Sequence, residues 1–304
     1  MKKILIIGGG KLGQAIAKVL GGEIWLRHDE APKSEVWFWD VDPTLRNIDD
    51  LYEYVKKADF IFLCVPTAVI PIVLNDIKAS LNQSVILIGA SKGIDQKTGK
   101  FAHELFAENL PLEQGFVFLL GPMLASELVV DLPGGAVCAG NKIVAIEEVV
   151  LLFDKTKLLV KPHDDLRGAS VCSVLKNIYA IASGVVHDYG MNARGMLLTK
   201  AVEESQYIVE VLGGNSHTVL SLAGLGDLIT TGSCELSRNF SYGKSRAGGD
   251  VCDFESEGSV SIETFANLLK EKGELPLLFS ATLSVVRGEV DSKEKVLRAI
   301  GIKD

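Results

Sequence analysis

Ile4-Leu5-Ile6-Ile7-Gly8-Gly9-Gly10-Lys11-Leu12-Gly13, running on into Gln14-Ala15-Ile16-Ala17-Lys18-Val19-Leu20, is the stretch that decides the fold. The apolar run 4–7 is too short for a buried helix and rich in β-branched side chains, so it reads as a buried strand. Ala15, Ile16, Val19 and Leu20 recur at helical spacing. Strand, glycine loop and helix in succession are the context that a Gly-x-Gly-x-x-Gly pattern needs before it signifies a dinucleotide site. Gly8 permits the tight turn, Gly10 lets backbone approach a pyrophosphate, and Gly13 lets helix and strand pack closely. The helix N-terminus favours the anion. The next clear strand, 35–39, ends in Asp40, the candidate for the adenosine ribose hydroxyls. Asp40 lies further past Gly13 than the usual spacing of roughly twenty residues, an excess we attribute to an inserted polar loop at 27–34. Residues 23–26 read as a short extra strand before that loop.

Outward from this start, strands and helices alternate. Residues 51–57 read as a helix. The continuous apolar run 59–65 reads as a buried parallel strand that stops at Pro66. Residues 69–79 are helical, broken early by Pro71. Strands follow at 84–89 and 116–120 around a helix at 101–108, and short strands at 136–139 and 158–161 flank a helix at 143–153. This alternation predicts an α/β fold: an N-terminal Rossmann-type, doubly wound, mostly parallel sheet. The pattern changes near Pro162. Helices are expected at 171–186, at 194–211 with Glu203 and Glu204 on the polar side, in a glycine-rich segment at 219–228, and at 262–272 and 277–287. The expected domains are therefore a dinucleotide-binding domain, 1–161, and an all-α substrate and catalytic domain, 162–304. Ligands of an open parallel sheet bind outside the carboxyl ends of its strands. There the loops carry Gly8 to Gly13, Pro66, Lys92 and the segment 121–125, with the helical domain expected to close the cleft.

The chain has 304 residues, enough for two domains with cores of their own, and a net charge of −8. With no basic stripe, nucleic acid is excluded as an expected partner, and a phosphorylated ligand must be met by a few local cations. The five cysteines are scattered and form no Cys-x-x-Cys pair, so neither a disulfide framework nor a metal site is expected. The first strand begins so early that no signal peptide fits before it, and no apolar run spans a bilayer. A reduced, cytoplasmic setting is the expectation.

Three places in the helical half carry polar chemistry. Lys176 stands among Val174, Leu175, Ile178 and Ala180, where a lysine is costly to bury unless paired or used. Asp227 is the one carboxylate in the apolar segment 221–231. Ser237-Arg238-Asn239 sets a hydroxyl, a guanidinium fork and an amide side by side, a combination suited to phosphate and equally to a helix cap with a surface arginine.

With these residues in place the chain resembles the NAD(P)-dependent sn-glycerol-3-phosphate dehydrogenases, from Lys2 to about Arg287. The resemblance rests on five blocks in order: Gly8-x-Gly10-x-x-Gly13; Lys92-Gly93-Ile94; Gly121-Pro122-x-x-Ala125-x-Glu127; Leu175-Lys176-Asn177; and Gly226-Asp227-Leu228 through Ser237-Arg238-Asn239. It implies interconversion of dihydroxyacetone phosphate and sn-glycerol 3-phosphate by hydride transfer, supplying glycerol 3-phosphate for phospholipid synthesis, in a homodimer. It implies NAD as cofactor, with NADP as the second choice because Asp40 would repel a 2′-phosphate. By the same resemblance Lys176 is the acid–base residue, Lys92 assists it, and Asp227 holds it charged. Substrate is met by Lys92, Gly121, Met123, Lys176, Asn177, Asp227, Thr231, Ser237, Arg238 and Asn239, with Gly121 and Met123 contributing main chain. Cofactor is met by Gly8, Gly10, Lys11, Leu12, Gly13, Asp40, Pro66, Lys92, Ala125, Arg238 and Glu257.

The chain departs from the family pattern at several points. Lys11-Leu12 stands for Ser-Trp and Met123 for a small polar residue. Ser170 and Ser173-Val174 stand for Glu and Gly-Ala, and Asn192-Ala193-Arg194 for Asn-x-Lys. A changed pocket wall is expected. The competing readings are a related two-domain reductase acting on another small keto acid, imine or phosphate, such as pyrroline carboxylate or ketopantoate, and a non-catalytic NAD(H)-binding regulator.

Overall fold

The computed structural model describes residues 2–21, 34–235, 237–248 and 252–302. The strand expected at 23–26 and most of the loop at 27–34 lie outside them. The chain divides into two compact units: Met1–Lys92 with Phe101–Leu166, and Gly93–Lys100 with Arg167–Asp304.

The first unit is a seven-stranded sheet. Its strands are β1 (Lys2–Ile7), β2 (Ser34–Trp39), β3 (Phe60–Leu63), β4 (Ile86–Gly89), β5 (Phe116–Leu120), β6 (Gly134–Gly140) and β7 (Leu158–Pro162), in the order β2-β1-β3-β4-β5-β6-β7. All neighbours run parallel except β5 and β6. Every residue of β3 and β5 is buried, which is why both read as unbroken apolar runs. The helices are α1 (Lys11–Val19), α2 (Leu51–Lys57), α3 (Ile70–Ile77), α4 (Ala102–Asn109), α5 (Ala125–Leu128) and α6 (Ile143–Leu152). Pro71 does not break α3. It sits in the helix's first turn, where its missing N–H costs nothing. The chain runs from β1 out to β2, then back past β1 to β3, so the direction of winding reverses between β1 and β3. An open sheet binds its ligand at such a reversal, beyond the strands' carboxyl ends.

The second unit is helical: α7 (Leu166–Val185), α8 (Gly190–Val211), α9 (Asp227–Gly232), α10 (Arg238–Ala247), α11 (Glu257–Lys270), α12 (Leu277–Arg287) and α13 (Ser292–Ala299). α7 is its axis, buried continuously from Gly168 to Val185. Small residues let neighbours reach the α7 backbone. A Cβ on Gly184 would lie 2.1 Å from the Phe240 carbonyl oxygen, and one on Gly243 would lie 1.9 Å from that of Ile181. The crossing of α7 and α10 therefore requires both glycines. Ser183 Oγ donates to the Gly232 carbonyl at 2.6 Å and ties the end of α9 to the same axis. Among the described residues no single helix is long and apolar enough to cross a membrane.

Candidate active site

The glycine loop lies at the reversal point. Gly8 has φ +104°, and a Cβ there would meet the Cys64 carbonyl oxygen, at the end of β3, at 2.5 Å. A Cβ on Gly13 would lie 2.2 Å from the Gly8 carbonyl oxygen, and one on Gly9 the same distance from that of Leu45. Sterics alone thus fix three glycines. Gly10 differs, because nothing lies within 4 Å of where its Cβ would be. The space beside it is the room a pyrophosphate needs. α1 begins directly after it, with no side-chain cap and no acidic residue in its first turn, so its N-terminal N–H groups and dipole favour an anion.

The Asp40 carboxylate is fixed beside this loop. One oxygen accepts from Gly9 N and the other from Asp42 N, each at 2.9 Å. Asp42 accepts from Thr44 N at 2.9 Å and Thr44 Oγ1 at 2.7 Å, and these bonds hold its carboxyl below its ordinary pKa. Two anchored carboxylates therefore mark the carboxyl end of β2. The cofactor's parts match these features: a pyrophosphate suits the space at Gly10, and ribose hydroxyls suit Asp40.

The other expected residues of the first unit divide by surroundings. Lys92 Nζ donates to the Gly121 carbonyl at 2.6 Å, which sets its ammonium at the carboxyl end of β5. Gly121 has φ +156° and a Cβ there would meet the Gly135 carbonyl oxygen at 2.5 Å, so the β5–β6 connection demands glycine. Met123 is buried in the core of the sheet, with Leu12 and Ala125 packed against that core. The departure at Met123 therefore fills the core, and the expected change of pocket wall does not arise from its side chain. Lys11 is exposed at the start of α1, and Pro66 opens the turn after β3.

The second unit holds the candidate acid–base group. A π-helical turn at Leu222–Gly226 delivers Asp227 as the first residue of α9. This turn needs Gly224, whose Cβ would lie 2.1 Å from the Val219 carbonyl oxygen. Lys176 Nζ lies 3.2 Å from Asp227 Oδ1 and donates to Thr231 Oγ1 at 3.0 Å. Lys176 is 9% exposed and Asp227 2%. Removing either partner would strand a buried charge, at a cost of about 3–5 kcal/mol.

One residue further along α7, Asn177 organises a second cluster. Its Nδ2 donates to Glu257 at 2.8 Å, and its Oδ1 accepts from Asn239 Nδ2 at 2.9 Å. Asn239 Oδ1 accepts from Gly258 N at 2.8 Å, and a Cβ on Gly258 would meet the Asn177 carbonyl oxygen at 2.5 Å. Lys176 and Asn177 thus recruit α9, α10 and α11 to one stretch of α7. Ser237 is the N-cap of α10, accepting from Phe240 N. Arg238 is exposed; it donates to the Glu255 carbonyl at 2.7 Å and lies 5.7 Å over the Phe254 ring. The cap alternative is correct for Ser237.

At the remaining departures, Ser170 Oγ is buried without a hydrogen-bond partner, and Ser173 Oγ donates to the Ser170 carbonyl at 2.7 Å. Arg194 bonds to His187 Nδ1 and lies 5.2 Å over the Phe240 ring. Glu204 is not on a polar face. It is 4% exposed and accepts from Leu278 N at 2.8 Å, Phe279 N at 2.9 Å and the Tyr179 hydroxyl at 3.1 Å. It caps α12 and joins it to α7, and burial raises its pKa. Its neighbour Glu203 is exposed, so spacing along α8 could not tell the two apart. Among the described residues no cluster of three or more His, Cys, Asp or Glu side chains is placed to hold a metal ion.

A phosphate cradle at the reversal of a parallel sheet, joined in sequence to a helical unit with an acid-paired buried lysine, defines the class of nicotinamide-dependent dehydrogenases. The model of the NAD-dependent glycerol-3-phosphate dehydrogenase N-terminus matches residues 3–145, and that of the C-terminus matches residues 165–296. A glycerol-3-phosphate dehydrogenase [NAD(P)+] of Anaplasma phagocytophilum is 35% identical over 260 residues, 82% of this chain and 80% of that protein. One of Acinetobacter baylyi is 30% identical over 267 residues, 83% of this chain and 74% of that protein. The crystal structure of glycerol-3-phosphate dehydrogenase from Coxiella burnetii has the same fold, with a TM-score of 0.84, 24% identity and 99% coverage of both chains. The chain belongs to the NAD-dependent glycerol-3-phosphate dehydrogenase family, and so to the NAD(P)-dependent oxidoreductases.

Proposed function

We propose that this chain interconverts dihydroxyacetone phosphate and sn-glycerol 3-phosphate and supplies the latter to phospholipid synthesis, acting in the cytoplasm as a homodimer. Residues 1–161 hold the dinucleotide and 162–304 supply the acid–base chemistry. The observation that carries the reading is the buried Lys176–Asp227–Thr231 cluster. A nicotinamide cofactor held at the Gly8 to Gly13 loop and Asp40 would supply hydride for the ketone carbon. Negative charge then builds on the ketone oxygen, where the Lys176 ammonium stabilises it and delivers the proton. Asp227 and the Thr231 hydroxyl together aim the ammonium. Lys92, fixed by the Gly121 carbonyl, is assigned the assisting charge. Arg238 is assigned the substrate phosphate: its bond to Glu255 and its place over Phe254 orient the guanidinium, which has further N–H groups for phosphate oxygens. Asn177, Asn239 and Glu257 keep that end of the cluster in register.

The test is an absorbance assay of NADH oxidation with dihydroxyacetone phosphate, alongside pyrroline carboxylate and ketopantoate. Turnover with dihydroxyacetone phosphate alone is expected. Preference for another ketone or imine would establish the related reductase, and NADH binding with no turnover the regulator.

A further inference from the structure

The loop that carries Lys92 leaves the sheet before it reaches the lysine. β4 pairs with β3 and with β5 as far as Gly89, which stands opposite Leu63 and Phe118. Beyond Leu63 the chain runs Cys64-Val65-Pro66, and Pro66 has no N–H with which to carry a ladder further. Lys92 therefore stands past the last paired residue. From its loop a side-chain bond reaches each neighbouring strand. Ser91 Oγ donates to the Val65 carbonyl, just past the end of β3, at 2.6 Å. Lys92 Nζ donates to the Gly121 carbonyl, just past the end of β5, also at 2.6 Å.

Val65 is a firm anchor. Cys64 N donates to the Ile7 carbonyl at 2.8 Å. A Cβ on Gly8 would lie 2.5 Å from the Cys64 carbonyl oxygen and 3.3 Å from Val65 Cγ1. The end of β3 is thus fitted against the glycine loop. A lysine ammonium rides on a flexible four-carbon stem, so a bond at its tip fixes it only where the backbone at its root is also fixed. The Ser91 hydroxyl fixes that root. We infer that Ser91 is a positioning residue: it ties the Lys92 segment to the backbone that shapes the dinucleotide cradle, and so sets the ammonium at the carboxyl end of β5. The inference rests on the assisting charge given to Lys92 above. Displacing a reacting group by about 1 Å can cost on the order of a hundredfold in rate, so a hydroxyl spent on a backbone carbonyl governs turnover from one residue away.

The test combines kinetics and lysine reactivity in the full chain. Ser91→Ala should lower kcat with dihydroxyacetone phosphate about tenfold and leave the KM for NADH within about twofold, because the cradle keeps its shape. Ser91→Thr keeps the hydroxyl and should recover most of the loss. In a Lys92→Ala background Ser91→Ala should add no more than about a further twofold, since nothing is left to position. Reductive methylation with formaldehyde and cyanoborohydride, read by peptide mass, should be about threefold faster or more at Lys92 in Ser91→Ala, as fits one lost hydrogen bond, and unchanged at the exposed Lys155. Wild-type kcat in Ser91→Ala, no recovery by threonine, or an undiminished loss in the Lys92→Ala background would each overturn the role. If wild type does not reduce dihydroxyacetone phosphate, the function proposed above fails by itself. The methylation rates then decide the inference: a faster rate at Lys92 in Ser91→Ala upholds the tie, and an unchanged rate overturns it.

Discussion

The glycine loop of the first unit and the Lys176 cluster of the second are built by opposite means. The loop is made by leaving side chains out. At Gly8, Gly9 and Gly13 a Cβ would strike backbone at 2.2 to 2.5 Å, and at Gly10 it would fill open space. The cluster is made by burying side chains and satisfying them: Lys176 with Asp227 and Thr231, Asn177 with Glu257 and Asn239. A site made by omission is held by sterics and is local in sequence. A site made of buried charge is held by partners 51 and 55 residues away, and it fails when any partner goes. The two should therefore break differently.

The largest expected effect is on the second. Lys176→Ala should lower kcat by roughly 10³-fold or more if the proposed role holds, because it would remove both the proton donor and the charge assigned to the developing alkoxide. NADH affinity, measured by fluorescence titration, should stay within a factor of two or so of wild type, since the cradle is untouched. Wild-type kcat in this variant would remove the role given to Lys176.

Two alanine substitutions separate structure from binding inside the loop. Gly13→Ala should cost about 3 kcal/mol of stability in denaturant titration, since neither backbone atom at the clash can yield. Gly10→Ala should leave the unfolding midpoint where it is and weaken NADH binding about thirtyfold, the ~2 kcal/mol of an overpacked contact. Equal destabilisation by the two would show that Gly10 is also held by the fold.

Asp40 tests whether the cradle selects its cofactor. NADH should be preferred over NADPH in kcat/KM, since a 2′-phosphate would face the anchored carboxylates of Asp40 and Asp42. Asp40→Ser should narrow the gap on the order of tenfold, from the NADPH side, equivalent to ~1.4 kcal/mol of relieved repulsion. A wild-type preference for NADPH would mean that a neighbouring cation, such as Lys11 or Arg46, overrides both carboxylates.

The smallest effect concerns the packing that holds the cluster. Burial raises the pKa of Glu204, so the folded state holds its proton to higher pH than the unfolded chain does. The stability contributed by that protonation is full below the ordinary carboxyl value of 4.5 and is lost as pH rises through the raised one. Glu204→Gln cannot ionise. The stability of wild type minus variant should therefore fall with rising pH, by no more than about 1.4 kcal/mol per pH unit. A difference that is flat or rises with pH would mean that the bonds from Leu278 N, Phe279 N and Tyr179 outweigh burial.

Much of the first unit was legible because its signals are short-range. A strand, a glycine loop and a helix occupy residues 2–19, and each burial pattern is set by residues a few positions apart. α2 and α12 match their expected bounds for the same reason. Pro71 misled because proline breaks a helix interior yet suits a first turn, and its position in the helix depends on where the preceding strand ends. In the second unit α13 was not expected, and α10 was foreshadowed only by the helix-cap alternative at Ser237. Both are short and polar on average, and they are helical because α7, α8 and α12 supply what they pack against.

The sequence by itself determined which residues are costly where they stand: Lys176 and Asp227 amid apolar neighbours, and glycines where a turn must pass. It could do so because burial cost and backbone freedom belong to single residues and their near neighbours. Only the tertiary structure decided how each cost is met. It set Lys176 on Asp227 and Thr231, Glu204 on the start of α12 rather than beside Glu203 in water, Met123 in the sheet's core, and Ser237 on a helix end. Hydrogen bonds and ion pairs act within a few ångströms of space, and distance along the chain carries no information about them.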